Sequence, residues 1–105
     1  MSKTSPKTLP TIHLNGTSAT SLAREAEAAC GALTNALEAL AAMAPHGRDY
    51  YPQGPDAYTQ AAEEHRSRLD RLETVSAEVH TIYEHAQERV MADEERAARA
   101  SGGHW

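Results

Sequence analysis

The sequence predicts an all-α protein: a long antiparallel helical hairpin with a short N-terminal strand or arm, oligomerising into a helical bundle. Three observations favour this fold class. Apolar residues recur at helical spacing in two long segments, prolines and glycines separate those segments, and large apolar side chains are too few to fill a core within one copy. With 105 residues, the chain has room for one domain.

The first helix is predicted over residues 18–44. Serine and threonine hydroxyls suitable for an N-cap stand at its start, and Pro45 and Gly47 stop it. Its apolar residues are spaced alternately by four and three positions, which is the pattern of a heptad repeat. This predicted apolar stripe consists of Leu22, Ala26, Ala29, Leu33, Ala36, Leu40 and Met43.

The second helix is predicted over residues 56–100, with Pro55 expected at its first helical position. At a rise of 1.5 Å per residue it is about 65 Å long, against about 40 Å for the first helix. The excess length, around residues 84–100, is expected either to fray or to pack on another subunit. The matching apolar stripe consists of Tyr58, Ala62, His65, Leu69, Leu72, Ser76, Val79, Tyr83, Ala86 and Val90.

Short segments flank the predicted hairpin domain, which covers residues 11–100 with the loop at 45–55. Residues 1–10 are polar, contain two prolines and are expected to form a flexible tail, and residues 101–105 form a second tail. Residues 11–15 alternate between polar and apolar side chains, which places Ile12 and Leu14 on one face of a strand. Such a strand must pair with a partner copy or lie across the helices; an extended arm without pairing is the alternative.

Self-association is expected because the helices carry little large apolar surface. The two predicted helices contain only twelve large aliphatic residues, the chain has no Phe, and much of its apolar fraction is alanine. A lone hairpin also leaves half of each helix in water. A homo-oligomer is therefore expected, and a dimer of hairpins makes a four-helix bundle.

Charge and cysteine content exclude several classes of protein. The net charge is −5, and the arginines of the second helix lie among eleven carboxylates, which argues against binding of a nucleic-acid polymer. The single Cys30 indicates a structural thiol in a reducing compartment. No secretory signal and no apolar run of membrane-spanning length is found, so we expect a cytoplasmic protein without a membrane partner.

The connecting loop carries the chemistry that most suggests a binding site. A simple connection between helices needs about 2–8 small or polar residues, but this loop contains an arginine, a histidine and two tyrosines. Arginine holds phosphate through paired hydrogen bonds, tyrosine rings stack on bases, and glycines let backbone N–H groups approach an anion. The candidate ligand-binding residues are His46, Arg48, Asp49, Tyr50, Tyr51 and Gln53.

A structural role for the same loop is the alternative. In that interpretation Tyr50 and Tyr51 cap the open end of the hairpin, and Arg48 pairs with Asp49 or with a helix end. The sequence alone leaves both interpretations open.

Two stretches of the sequence resemble a set of small phage-encoded proteins, most of them without an assigned function. The stretches are TIHLNGTS at residues 11–18 and GRDYYPQG at residues 47–54, and the likeness extends over roughly residues 11–90. The resemblance implies an accessory phage protein made inside a bacterial host. Small oligomeric proteins of that general kind include inhibitors of host defence, among them sponges that sequester cyclic-nucleotide signals; no binding residue follows from this analogy.

The histidines do not predict a metal site or a cofactor. His80 and Glu84 share a helix face and His85 is rotated away from it, so the zinc pattern H-E-x-x-H is absent. His80 and Glu84 are predicted to form a surface hydrogen-bonded pair. His65 lies on the apolar stripe and is predicted to be buried and bonded to a carboxylate, or to Tyr50 or Tyr51.

The carboxylates were considered as ligands for Mg²⁺, as in all-helical nucleotide pyrophosphohydrolases. The spacing of that family is missing, and most candidate residues fall on the face opposite the stripe. They are expected instead to pair with Arg66, Arg68, Arg71 and Arg89 along the helix. The carboxylates concerned are Glu63, Glu64, Asp70, Glu73, Glu84 and Glu88.

The sequence therefore predicts a non-enzymatic binding protein that sequesters a small anionic ligand, such as a cyclic-nucleotide immune signal. The main alternative is a protein–protein interaction module that docks on a host or virion protein. A metal-dependent nucleotide hydrolase that uses Glu63, Glu64 or Glu84 is a third possibility.

Overall fold

The computed structural model describes residues 8–102, and these are almost entirely helical. Helix α1 spans Ala19–Ala42 and helix α2 spans Ala57–Gly102; between them lie two 3₁₀ turns, Gly47–Asp49 and Tyr51–Gln53. The two long helices pack against each other. The predicted all-α class is confirmed for these residues, which contain no β-strand.

Ser18 caps the N-terminus of helix α1. Its hydroxyl accepts a hydrogen bond from the Ser21 backbone N–H at 3.1 Å, and its carbonyl accepts one from Leu22 at 3.0 Å. This is the geometry of an N-cap, in which a side-chain oxygen satisfies one of the free donors of the first turn. Among the predicted hydroxyl candidates, Ser18 therefore has that role.

Helix α1 ends at Ala42, two residues before the predicted position 44. The next two N–H groups bond three residues back, Met43 to Leu40 and Ala44 to Ala41, so the last turn tightens. Pro45 then disfavours helical backbone at the residue before it. The chain consequently leaves the helix at this point.

Helix α2 begins at Ala57, and its first turn is closed by the Gln60 N–H bonding to the Asp56 carbonyl at 3.0 Å. Pro55 was predicted to be the first helical residue, but it precedes the helix by two positions. At the other end the helix reaches Gly102, so its last turn includes the first two residues of the predicted C-terminal tail. The rest of that tail, residues 103–105, lies outside the described residues.

The chain divides into two compact units. The arm unit contains Met1–Cys30 and Glu78–Trp105, that is, the N-terminal segment, the first half of α1 and the second half of α2. The loop unit is Gly31–Ala77, with the second half of α1, the connecting loop and the first half of α2.

The two units have different interiors. The buried apolar residues of the described arm unit are all alanines: Ala19, Ala23, Ala26 and Ala86. In the loop unit the buried residue is polar, since His65 is 3% exposed. No large apolar side chain is buried in the part of the chain that the structure describes.

The apolar stripe predicted for α1 is partly wrong. Ala19 and Ala23 are buried although they were not included, whereas Ala36 is exposed and Met43 is 67% exposed. The buried and half-buried residues include a second series with the same spacing of four and three, on a face rotated slightly about the helix. This series is Ala19, Ala23, Ala26, Cys30, Leu33, Leu37 and Leu40. Because both series contain Ala26, Leu33 and Leu40, spacing alone could not choose between them.

The stripe predicted for α2 is confirmed over most of its length. Its positions from Ala62 to Val90 are all buried or half-buried, and only its first residue, Tyr58, is exposed. The hydroxyl of Ser76 at a half-buried position does not interrupt the series. The heptad pattern of this helix was therefore sufficient to orient it.

Residues 8–18 are irregular, with a turn closed by the Gly16 N–H and the His13 carbonyl at 3.1 Å. Leu14 is 97% exposed while Ile12 is half-buried, so the predicted shared face is wrong because the turn separates them. Of the predicted tail, residues 1–7 lie outside the described residues. Pro10 is half-buried, and its carbonyl accepts a hydrogen bond from the His85 Nε2 at 2.7 Å.

Candidate functional site

The connecting loop has a defined backbone. Each 3₁₀ turn, Gly47–Asp49 and Tyr51–Gln53, is closed by two backbone hydrogen bonds of 2.9 to 3.2 Å that span three residues. Gly54 follows with φ of +115°, a conformation that residues with a Cβ rarely adopt. The loop is thus a sequence of two tight turns and a glycine-dependent reversal before α2.

This backbone changes how the loop could bind an anion. The N–H groups of Asp49, Tyr50, Gln53 and Gly54 all donate to carbonyl groups within the loop. Donors that are already bonded do not form the backbone cradle for an anion that the glycines suggested. These four N–H groups are therefore not available to a ligand.

Most of the predicted binding residues are exposed. Tyr50 is half-buried, Tyr51 is 75% exposed, and the remaining four are exposed. Their side chains form no hydrogen bond or ion pair with other described residues, so the alternative pairing of Arg48 with Asp49 is not formed. The four exposed residues besides Tyr51 are His46, Arg48, Asp49 and Gln53. The loop thus presents its polar groups without partners and does not enclose a site.

A cavity of about 220 Å³ opens where the loop leaves α1. None of the six predicted residues lines it. Its walls include Tyr58 and Arg66, which sequence reasoning missed as site residues. Tyr58, Ala62 and Arg66 recur every four positions and so share one face of α2, which is the signal that could have found them. The other lining residues are Ala44, Pro45, His65 and Leu69.

His65 forms the floor of this region and joins the two helices of the loop unit. Its ring Nε2 lies 2.8 Å from the Leu40 carbonyl. Because a carbonyl only accepts, the ring carries its proton on Nε2 and donates it. The predicted burial is confirmed, but the predicted carboxylate or tyrosine partner is wrong. Leu40 lies in the last turn of α1, where its carbonyl also accepts the Met43 N–H at 3.1 Å, so His65 uses the second lone pair of that oxygen.

Two further histidines of α2, His80 and His85, have structural contacts. His80 and Glu84 are 3.3 Å apart and both exposed, which confirms the predicted surface pair. His85 binds the Pro10 carbonyl and so attaches the N-terminal segment to α2. Within residues 8–102, no three side chains of the metal-binding types are grouped in a way that could hold an ion.

The arginines of α2 do not pair as predicted in the loop unit. Arg66 and Arg68 have no ion-pair partner in the described chain, and Arg71 donates only to the Ser67 carbonyl, at 3.3 Å. Their side chains line cavities with apolar walls, which gives the aliphatic stems a surface to cover. Within the described residues, none of the four arginines pairs with a carboxylate predicted for it; Arg89 pairs with Asp93 instead.

In the arm unit the arginines of α2 do pair with carboxylates. Arg89 contacts Asp93 at 3.0 Å, one turn beyond the carboxylates considered from sequence, and Arg96 contacts the same oxygen at 2.7 Å. Arg99 lies 3.9 Å from Glu95. These guanidinium groups are already neutralised by their own helix.

The carboxylates that the sequence offered as candidate Mg²⁺ ligands are all exposed. They lie on the outer face of α2, as the spacing indicated, and do not converge inside the helix pair. The six are Glu63, Glu64, Asp70, Glu73, Glu84 and Glu88.

Comparison with protein-family models, with curated proteins and with solved structures gave no match to this chain. No helix within residues 8–102 combines the length and the apolar character needed to cross a membrane. The inference of function therefore depends on the site itself.

Proposed function

We propose that this chain is a non-enzymatic binding protein that sequesters a small anionic ligand as a homo-oligomer. The site consists of the cavity at the beginning of the loop together with the exposed loop side chains. The observation that carries this proposal is Arg66, a guanidinium without a carboxylate partner that lines a cavity beside an accessible tyrosine, Tyr58.

The chemistry of these groups suits a nucleotide. A free guanidinium can hold a phosphate through two parallel hydrogen bonds, and a tyrosine ring offers a face on which a base can stack. Arg48 and Tyr51 repeat the same pair of groups on the loop, both exposed. In a chain of net charge −5, unpaired arginines beside an apolar cavity provide local attraction for an anion that the whole molecule lacks.

The size of the cavity supports assembly. Ligand pockets usually enclose about 300–1,000 Å³. The cavity in one copy measures about 220 Å³, so one chain supplies part of such a pocket. A second copy would complete it, through its loop or through a strand formed by residues 11–15 of paired arms. This arrangement joins the predicted oligomer and the predicted binding loop in one site.

The resemblance to small phage-encoded proteins gives the proposal a biological setting. An accessory phage protein in the cytoplasm of its host would act by removing a cyclic-nucleotide immune signal from solution. Such a sponge needs tight binding and no turnover.

Thermal unfolding and native mass measured with a nucleotide panel test the proposal. The panel is cyclic AMP, cyclic GMP, cyclic di-AMP, cyclic di-GMP and ATP, each with and without Mg²⁺, followed by recovery of the nucleotide. A bound ligand at 100 times its Kd should stabilise the fold by about 2.7 kcal/mol, which raises the Tm by several degrees. The nucleotide should return intact. Altered nucleotide would indicate an enzyme, and no shift with any of them would contradict the ligand proposal.

A protein–protein interaction module is the second candidate. It is favoured by exposed large side chains in the loop unit: Met43, Tyr51 and Tyr58. Aromatic and methionine side chains are enriched at the centres of protein interfaces. This candidate predicts a stable complex with a host or virion protein in pull-down experiments, no thermal shift with nucleotides, and loss of the complex on Tyr51→Ala.

A further inference from the structure

The loop unit carries a second apolar surface, away from the loop. It is an open cavity of about 350 Å³ lined by Leu40, Arg68, Arg71, Leu72 and Val75, which we name the basic patch. Val75 is exposed, and both arginines are without carboxylate partners in the described chain. An exposed apolar surface with unneutralised positive charge at its rim indicates an interface for an acidic, apolar partner.

The arm unit carries a surface of the opposite sign. It is an open cavity of about 230 Å³ lined by Tyr83, Glu84, Gln87, Glu88 and Met91, which we name the acidic patch. Met91 is 56% exposed. Glu88 has no ion pair within the described residues, and Glu84 contacts only the exposed His80 ring. This patch likewise combines apolar surface with charge that the chain does not neutralise.

The charges of the two patches have similar spacing. Arg68 and Arg71 are three residues apart on α2, about 4.5 Å along the helix axis, and Glu84 and Glu88 are four residues apart, about 6 Å. Both pairs therefore occupy successive turns of a helix. When two such helices meet, two arginine–glutamate pairs can form while apolar side chains between them leave water.

We infer that the basic patch of one copy docks on the acidic patch of a second copy. The chain supplies both halves of the contact, and a single copy buries no large apolar side chain among its described residues. Docking would remove Val75 and Met91 from water, and the ion pairs would fix the register and orientation. Reciprocal pairing of the two patches across a two-fold axis closes a dimer, and a head-to-tail contact closes into a ring or continues as a filament according to its rotation. The contact is independent of any nucleotide.

Charge reversal of the full-length chain tests this interface. Native mass spectrometry and light scattering are measured for the wild type, for Arg68→Glu with Arg71→Glu, and for Glu84→Arg with Glu88→Arg. The wild type should be oligomeric, and each double variant should run as a monomer with unchanged helical circular dichroism. An equimolar mixture of the two variants should recover the wild-type mass, because each then meets an oppositely charged patch.

A matched control separates the patch from net charge. Arg96→Glu with Arg99→Glu changes the charge by the same amount as the basic-patch variant but alters residues that line neither cavity. This control should keep the wild-type mass. For the wild type, added salt should raise the dissociation constant by about tenfold or more, because the pairs at the rim are screened; this readout needs no variant.

Four results would overturn the inference. They are a monomeric wild type, double variants that keep the wild-type mass, a mixture of helical variants that stays monomeric, and an oligomer insensitive to salt. A monomeric wild type would also contradict the oligomeric pocket of the proposed function. The other three results concern the two patches alone, and the nucleotide experiment can succeed or fail under any of them.

Discussion

The two halves of α2 have similar composition but use their arginines differently. In the arm unit Arg89, Arg96 and Arg99 contact carboxylates on their own helix. In the loop unit Arg66 and Arg68 have no carboxylate partner among the described residues and lie beside apolar cavities. A paired arginine on a solvated face contributes little to stability or recognition. The comparison indicates that the α2 arginines available for recognition are in the first half of this helix, whereas those of the second half are paired within the helix.

The two units also differ in the side chains that they bury. Alanines alone form the buried apolar positions described in the arm unit, whereas the loop unit buries His65, which binds a carbonyl of the other helix. Alanine allows close approach of helices but removes little apolar area from water. A buried histidine adds a directional contact, and it becomes costly when its partner is lost.

Replacing His65 should produce the largest effect. His65→Ala removes a buried ring and its bond to Leu40, so the free energy of unfolding should fall by about 3 kcal/mol. His80→Ala is the control in the arm unit; His80 is exposed, so its loss should change stability by less than about 0.5 kcal/mol. Urea unfolding followed by circular dichroism measures both. Equal effects would show that the histidine bond does not distinguish the units.

Enlarging the alanine core should be the next largest effect. Ala86 is 0% exposed, so Ala86→Leu should destabilise the fold by about 2 kcal/mol through overpacking. Ala92→Leu adds the same side chain at an exposed position of the same helix and should be nearly neutral. The same unfolding assay applies. A stabilising Ala86→Leu would mean that the arm unit has unfilled space.

Removing either of two unpaired arginines, Arg66 or Arg48, should weaken binding of whichever nucleotide gives a thermal shift. Arg66→Ala, and Arg48→Ala on the loop, should each raise its Kd by about tenfold, since a charge-assisted hydrogen bond contributes roughly 1.5 kcal/mol or more. Arg96→Ala is the matched control, because that guanidinium is held by Asp93. Calorimetric titration gives the three values. Unchanged affinity for a loop-unit variant would remove that arginine from the site.

Loss of the α1 N-cap should be the smallest of these effects. Ser18→Ala deletes the hydroxyl that bonds the Ser21 N–H, which should cost about 1 kcal/mol of stability. Thr20→Ala, inside the first turn, is the control and should be close to neutral. Thermal unfolding compares the two. An effect of equal size at both positions would mean that Ser18 is not the cap.

Features that depend on local sequence could be predicted. The two helices, the loop between them and the inward face of α2 follow from spacing, caps and helix breakers. The face of α1 could not be chosen because two series with the same spacing share Ala26, Leu33 and Leu40. The partner of His65 could not be predicted because the Leu40 carbonyl belongs to another helix, and only tertiary packing brings it within reach of the ring.

The candidate site could be predicted only in part. The loop residues from His46 to Gln53 were identified by their chemistry, and the structure places most of them on the surface. Tyr58 and Arg66 were missed because they belong to the helical stripe or to an expected ion pair, and only the cavity shows them together. Ion pairing along a helix is permitted by spacing but is decided by the apolar surface available to the arginine stem.

We propose that the loop-unit arginines beside the loop bind an anion and that the α2 arginines of the arm unit do not. Arginine Nε–H signals of the ¹⁵N-labelled full-length chain, assigned with the alanine variants, test it during titration with the nucleotide panel. The signals of Arg48 and Arg66 should shift and saturate, while those of Arg89 and Arg96 stay in place. Equal shifts in both units, or none with any nucleotide, would contradict the account.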